Sequence, residues 1–344
     1  MDPICASSSF PHPSCRLDDS EDWTPPEPSE ETSAPTKGDP AVHVQSRGTS
    51  GCPFIINPDS YDFDAHIQSK IISPELFGQY STSDADAISP RDVVQGSLRD
   101  CHLLSALAAL ANTPQGRALI RSAVVENRNA GGQVVSYSVT LHARRPSTLG
   151  SVLGPVRYLN RNLGEQVDDA YRTLSKVVVT VDNTYACGHT GAPESPSGAH
   201  EVWPLVFEKA IAQVGGGYRS LSQGGFAHRA MEMLTGVPAS AHELCAGTSL
   251  RRFLPGNYVA GDVSAAVAAG KLVVLNAKPS FKSADQPLPD GIVAEHAYAV
   301  SSIVTVEGKP SAVLINPWGF ANPDPIPLET LSRYFGTVSV GSIH

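Results

Sequence analysis

Two residues in this sequence are of the types that together carry acyl transfer: Cys101, in "DVVQGSLRDCHLLSALAALANT", and His296, in "EHAYAV". A thiolate attacking a carbonyl needs an imidazole to take and return the proton, and a polar group to orient that imidazole. Cys101 stands at a boundary, with a loop holding Gln95 and Gly96 before it and a Leu- and Ala-rich helix after it, running to Pro114. Asp100 is a good N-cap residue, which places Cys101 in the first helical turn. Unpaired N–H groups and the helix dipole favour an anion there and predict a lowered thiol pKa. Position alone would equally suit an inert core cysteine.

The histidine changes that balance. The segment "HAYAVSSIVTVEGKPSAVLINPWG" reads as two strands joined by a tight turn at Glu307–Pro310. Folding about that turn brings His296, at the start of one strand, near Asn316, at the end of its partner. The Asn316 amide oxygen would accept from one ring N–H and leave the other nitrogen facing a thiol. Trp318 would shield that bond from water. Gln95, six residues before Cys101, could aim its amide N–H at the oxyanion, with the Cys101 backbone N–H as second donor.

The elements that must hold these groups are legible in outline. "GGQVVSYSVTLHARR" alternates Val135, Tyr137, Val139 and Leu141 on one side, as a half-buried strand does; "SKVVVTVDN" reads as a short buried strand. "HEVWPLVFEKAIAQV" sets Trp203, Val206, Phe207, Ala210, Ile211 and Val214 at helical spacing, stopped by Gly215, Gly216 and Gly217. "KLVVLNAK" is another strand, and "LETLSRYF" a closing amphipathic helix. Helices dominate the first half and strands the last third, without βαβ alternation, so the expected class is α+β.

Composition bounds the rest. The chain has 344 residues, 41% hydrophobic and 17% charged, with net charge -9. That balance argues against a nucleic-acid or anionic-membrane binder. Residues 1–52 form a Ser/Pro-rich leader expected to be disordered, with residues 53–344 as the folded core. The six cysteines contain no CxxC pair, which points to free thiols in a reducing compartment. "CGH" at 187–189 with His200 is too irregular for zinc. The start lacks the basic and apolar regions of a Sec signal, and no apolar run approaches the about 18 residues that span a membrane. A soluble monomer is expected. Its leader is similar in composition to those of type III secreted effectors, which implies delivery by a non-Sec route into host cytosol.

Four motifs occur in a telling order: "QGSLRDCH", "EVWPLVFEKAIAQVGGGYRSLSQGG", "HAYAV" and "NPWG". Together, over about residues 75–344, they resemble the calpain family of cysteine proteases. The resemblance implies a papain-like fold: a helical lobe (about 75–235) bearing Cys101, a β-rich lobe (about 236–344) bearing His296 and Asn316, and a cleft between. It implies peptide-bond hydrolysis through a thioester acyl-enzyme, with Gln95 at the oxyanion, Trp318 covering the His–Asn pair, and Gly224 and Gly225 holding substrate backbone. Three departures stand out: Arg99 and Glu295 where the family has Gly, and His102 where it has an aromatic, most often Trp. They leave open a catalytically inactive module that binds a partner in its cleft. Glu295 hints at basic residues in the substrate. Asp92 matches a calcium-ligand position of the animal enzymes, but the carboxylates expected before "EVW" and after "NPWG" are missing, Glu194 lying further upstream and Asp324 standing alone. Calcium independence, with no cofactor, is the expectation.

Overall fold

A computed structural model describes residues 68–70, 74–78, 87–96, 98–146, 172–186, 200–254, 256–278 and 292–343. Short strands β1 (Gln68–Lys70) and β2 (Pro74–Glu75) precede a 3₁₀ turn at Pro90–Asp92 and helices α1 (Cys101–Ala111) and α2 (Pro114–Ala123). Strands β3 (Val124–Arg128), β4 (Val134–Pro146), β5 (Arg172–Asp182), β6 (Thr184–Ala186) and β7 (His200–Glu201) follow. Helices α3 (Trp203–Gly215), α4 (Tyr218–Ser222) and α5 (Ala227–Thr235) come next. The remainder is β8 (Ser240–Leu244), β9 (Asn257–Tyr258), α6 (Ala260–Ala268), β10 (Leu272–Ala277), β11 (Ala297–Val306), β12 (Lys309–Ile315), β13 (Ile326–Pro327), α7 (Leu331–Tyr334) and β14 (Phe335–Gly341). The class is mixed, helices with sheets. The leader and the 187–189 segment lie outside the described residues.

Strands β10 and β11 sit between two apolar cores. Leu272, Val274, Ala297 and Ala299 belong to the core built around α1, α3 and α5. Val273, Leu275, Tyr298 and Val300, one residue out of phase, belong to a second core with α6, α7 and β14. With side chains alternating across the sheet, both faces of these strands are dry, which is why "KLVVLNAK" reads as an unbroken apolar run. Seven strands pair in the order β13-β12-β11-β10-β14-β8-β9. The β11–β12 hairpin closes through Glu307 and Gly308, both at positive φ (49° and 77°), a tighter turn than Glu307–Pro310; Pro310 already pairs with Thr305. Two positive-φ residues match the right-handed twist of the flanking strands.

Helix α1 is buried from His102 to Ala111 and lies on β10 and β11. Two polar side chains pin it there. The Ser105 hydroxyl donates to Ala297 O at 2.8 Å, and the Asn112 amide donates to Ser301 O at 2.9 Å. Ser301 falls in a register shift, between Val300 paired with Leu314 and Ser302 paired with Val313. Its carbonyl loses a ladder partner to the bulge and gains Asn112 instead.

Three elements differ from the sequence expectation. The first half carries an antiparallel sheet, β3-β4-β5, whose β5 is an 11-residue edge strand with Val178 61% exposed rather than a short buried one. Tyr137, Val139 and Leu141 are buried, but Val135, near the start of β4, is exposed. The closing segment splits into a 3₁₀ turn (Leu328–Thr330) and the single turn α7, and the chain continues into β14, which pairs with both β10 and β8. Phe335, Val338 and Val340 share one core because a register shift at Asn276/Ala277 rotates the strand's end. Helix α3 forms as expected and stops at Gly216, whose φ of 96° needs glycine. Among the described residues no helix is long and apolar enough to cross a membrane.

Candidate active site

The α1 N-terminus presents Cys101 to the start of β11. The thiol is free and partly exposed at the residue level. It hydrogen-bonds the backbone of Ala297, the residue after His296. Asp100 holds the N-cap position only through its backbone: its carbonyl accepts from Leu103 and Leu104, and its side chain makes no cap bond. That side chain is turned inward and fully buried. There it accepts a 3.3 Å bond from Gln95 Nε2 through Oδ1, while Oδ2 has no partner.

His296 lies across from this helix end, 6% exposed, with Nε2 2.9 Å from Asn316 Oδ1. The Asn316 amide is held in one orientation by two backbone groups. Its Oδ1 accepts from the Trp318 N–H at 3.0 Å and its Nδ2 donates to Ala321 O at 3.2 Å. With Oδ1 an acceptor, Nε2 must carry the hydrogen, and Nδ1 is left with its lone pair. The indole of Trp318 lies 4.8 Å from the imidazole and Tyr298 meets it edge-on at 4.9 Å. The pairing inferred between His296 and Asn316 is therefore present, with Trp318 over it.

Electrostatics run against the expected activated thiol. Burial pushes the Cys101 thiol up to about 11, Asp100 adds to the rise, and the Ala297, Cys101 and His102 backbone groups only partly oppose it. Helix-start donors are present as anticipated, but desolvation outweighs them. Burial likewise lowers His296 to about 4, against a smaller upward pull from Asn316. At neutral pH the two groups are thiol and neutral imidazole.

Gln95 reaches the site differently from expectation. Its backbone N–H donates to Pro317 O at 2.8 Å, tying the pre-helix loop to the loop after Asn316. Its Nε2 donates to Leu98 O at 2.6 Å as well as to Asp100, so both amide hydrogens are engaged within its own loop, and the buried Oε1 has no partner. The His102 ring packs against Gly225, where an added Cβ would come within 2.6 Å of Nε2. His102 thus fills a packed slot under the Gly224–Gly225 corner. Glu295 is exposed and takes φ 56°, a left-handed conformation that explains why a glycine suits this position. Arg99 is exposed.

Asp92 is committed elsewhere. It accepts from the Ser89 N–H (2.6 Å), the Ser89 hydroxyl (3.0 Å) and Trp203 Nε1 (3.2 Å). Asp324 is exposed. Among the described residues no three His, Cys, Asp or Glu side chains converge on a metal position. Sequence reading missed the support beneath Asn316: Asn322 Oδ1 accepts the Asn316 N–H at 2.8 Å, and Ala321 takes φ 51°. The Asn-Pro pair in "FANPDP" was the available turn signal. It also missed Glu208, fully buried in α3 near Asp100, for which an apolar helix gives no signal.

With this geometry in hand, comparison with known proteins is informative. Residues 159–323 match the family described as calpain family cysteine protease. That span holds His296, Asn316, Trp318, Gly224 and Gly225 and begins after Cys101. Calpain-5 of Caenorhabditis elegans is 25% identical over 229 residues, 64% of this chain and 30% of that protein. A calpain of Schistosoma mansoni is 24% identical over 248 residues, 68% of this chain and 27% of that protein. The chain thus spans under a third of the length of the relatives it matches. The chain is thus similar to calpain family cysteine proteases over part of its length.

Proposed function

We propose that the chain is a calpain-like cysteine endopeptidase of papain-like fold, in which Cys101 is the nucleophile, His296 the general base and then acid, and Asn316 the group that orients it. The supporting observation is the Nε2–Asn316 bond at 2.9 Å beside a thiol that bonds to Ala297. In the first step the Cys101 proton passes to His296 Nδ1 as sulfur bonds to the peptide carbonyl carbon. The oxyanion is met by the Cys101 N–H and Gln95. Collapse breaks the C–N bond, and the imidazolium returns the proton to the leaving amine. Water then adds to the thioester, giving its proton to Nδ1, and the C–S bond breaks to release the carboxylic acid. A neutral Cys–His pair needs this base assistance at the moment of attack.

In this reading no calcium takes part, the protein is a monomer, Gly224 and Gly225 border the substrate backbone, and Glu295 favours basic peptides. The alternative is an inactive module that binds a partner peptide, favoured by the thiol near 11 and by the engaged Gln95 amide. The deciding experiment is hydrolysis of a quenched-fluorescence peptide library by wild type and Cys101→Ala, each with calcium and with chelator. Turnover lost in Cys101→Ala and indifferent to chelator is the expected result. No turnover from folded wild type under any condition would replace the peptidase by the binding module. Equal rates on Lys/Arg peptides and neutral ones would remove the role given to Glu295.

A further inference from the structure

Just past Trp318 the chain turns a large apolar ring to solvent: Phe320 is 57% exposed. A single exposed aromatic is ordinary, but the backbone under this one is fixed on both sides. Before it, the Gly319 N–H donates to Asn316 O at 3.1 Å. Gly319 takes φ 80° and has no room for a side chain, since a Cβ would meet Val94 Cγ2 at 2.9 Å. After it, Ala321 takes φ 51° and its carbonyl accepts from the Asn316 amide at 3.2 Å, while Asn322 Oδ1 accepts the Asn316 N–H at 2.8 Å. A left-handed alanine is a cost that persists only where its surroundings hold it, and here Asn316 does so. Pro317 O accepts from the Gln95 N–H, so the same loop is also tied to the residues before α1. His296, Trp318 and Phe320 then stand in a row. The indole lies 4.8 Å from the imidazole, tilted 43°, and the Phe320 ring 5.9 Å from the indole, tilted 34°.

We propose that Phe320 is a specificity-determining residue that receives an apolar side chain from the leaving-amine half of the substrate. This rests on the peptidase reading above, in which His296 returns its proton to the leaving amine. That amine must come to the imidazole, so the residues beyond the scissile bond set out from the ring where the row begins. Trp318 N–H and His296 Nε2 share Asn316 Oδ1, so the row leaves the imidazole by its Nε2 edge and Nδ1 is left to the thiol and then the amine. An extended peptide advances about 3.3 Å per residue, which brings a side chain within the first three residues past the bond over Phe320. A phenyl ring offers contact area but neither charge nor a hydrogen bond. Aliphatic and aromatic side chains gain from it, and polar ones lose water there with no partner in return.

The test uses the full-length protein and two kinds of substrate built on the acyl sequence of the best-cleaved library peptide. One kind carries Leu or the similarly sized Asn at the second and third residues past the bond. The other ends in an aminocoumarin amide and has no residue there. Wild type should cleave the Leu peptides about tenfold faster in kcat/KM than the Asn peptides. Phe320→Ala should remove that preference by slowing the Leu peptides and should leave the coumarin amide unchanged, whereas Phe320→Leu, still apolar, should keep most of it. Equal rates on Leu and Asn peptides in wild type, or a Phe320→Ala loss of the same size on the coumarin amide, would overturn the proposal while Cys101-dependent turnover upheld the peptidase reading. No turnover of either kind by folded wild type would overturn the peptidase reading, and this inference with it.

Discussion

The cysteine side and the histidine side of the site are built to different standards of hydrogen bonding. On the histidine side, Asn316 uses its N–H, both amide termini and its carbonyl, and the imidazole hydrogen has a definite acceptor. On the cysteine side, Gln95 Oε1 and Asp100 Oδ2 are buried without partners, and both Gln95 hydrogens serve the loop itself. Saturated networks lock a geometry, while unsatisfied buried atoms mark stored cost that a rearrangement can recover. In the proposed mechanism the base is therefore preset, and adjustment on substrate binding falls to Gln95 and Asp100.

The largest test of this contrast is loss of the proposed nucleophile. Cys101→Ala and His296→Ala should each lower peptidase kcat by on the order of 10⁶, and the double variant should be no worse, since the two act as a unit. Iodoacetamide alkylation of Cys101 should climb about tenfold per pH unit toward the thiol's value of about 11. A plateau at neutral pH would mean a standing thiolate–imidazolium pair and break the comparison.

The folded-state value of His296 is depressed to about 4, so burying it neutral adds stability that is present above the unfolded value, about 6.5, and lost as pH falls through the folded value. Denaturant melts should lose about 3 kcal/mol over that window, and His296→Gln should flatten the loss. Asn316→Ala, which strands several buried partners, should cost about 2–3 kcal/mol, whereas Gln95→Ala should change stability by less than about 1 kcal/mol. Equal losses would erase the distinction. The smallest effect is Glu295→Gly, which should raise stability by about 0.5–1 kcal/mol by removing a left-handed non-glycine residue.

What the sequence reveals follows the same division. The His296–Asn316 pairing was legible because hairpin register is fixed by the turn and by alternation, both local signals. Helix α3 was legible from helical spacing and its stopping glycines. The inward turn of Asp100 was not, because N-cap preference describes a helix end in water, and this end is dry. The direction of the thiol's pKa was misjudged for that reason: the dipole and donors can be read from position, but the desolvation that outweighs them depends on β10, β11 and α5, packed on α1 from far along the chain. Strand β14 was masked by Gly336, Thr337 and Ser339 between its apolar residues, and only the sheet on both sides makes it a strand.

That last strand has a consequence for how the protein is made. Among the described residues strands β8 and β9 reach the rest of the sheet only through β14, so β8, from Ser240 on, waits for residues near Val340 to be synthesised before it can join the larger part of that sheet. A ribosome moving from the N-terminus delivers the histidine hairpin before the strand that joins the sheet's two parts, leaving edges of β8 and β10 open during that interval. Such late, long-range closure slows folding and exposes strand edges to pairing between nascent chains.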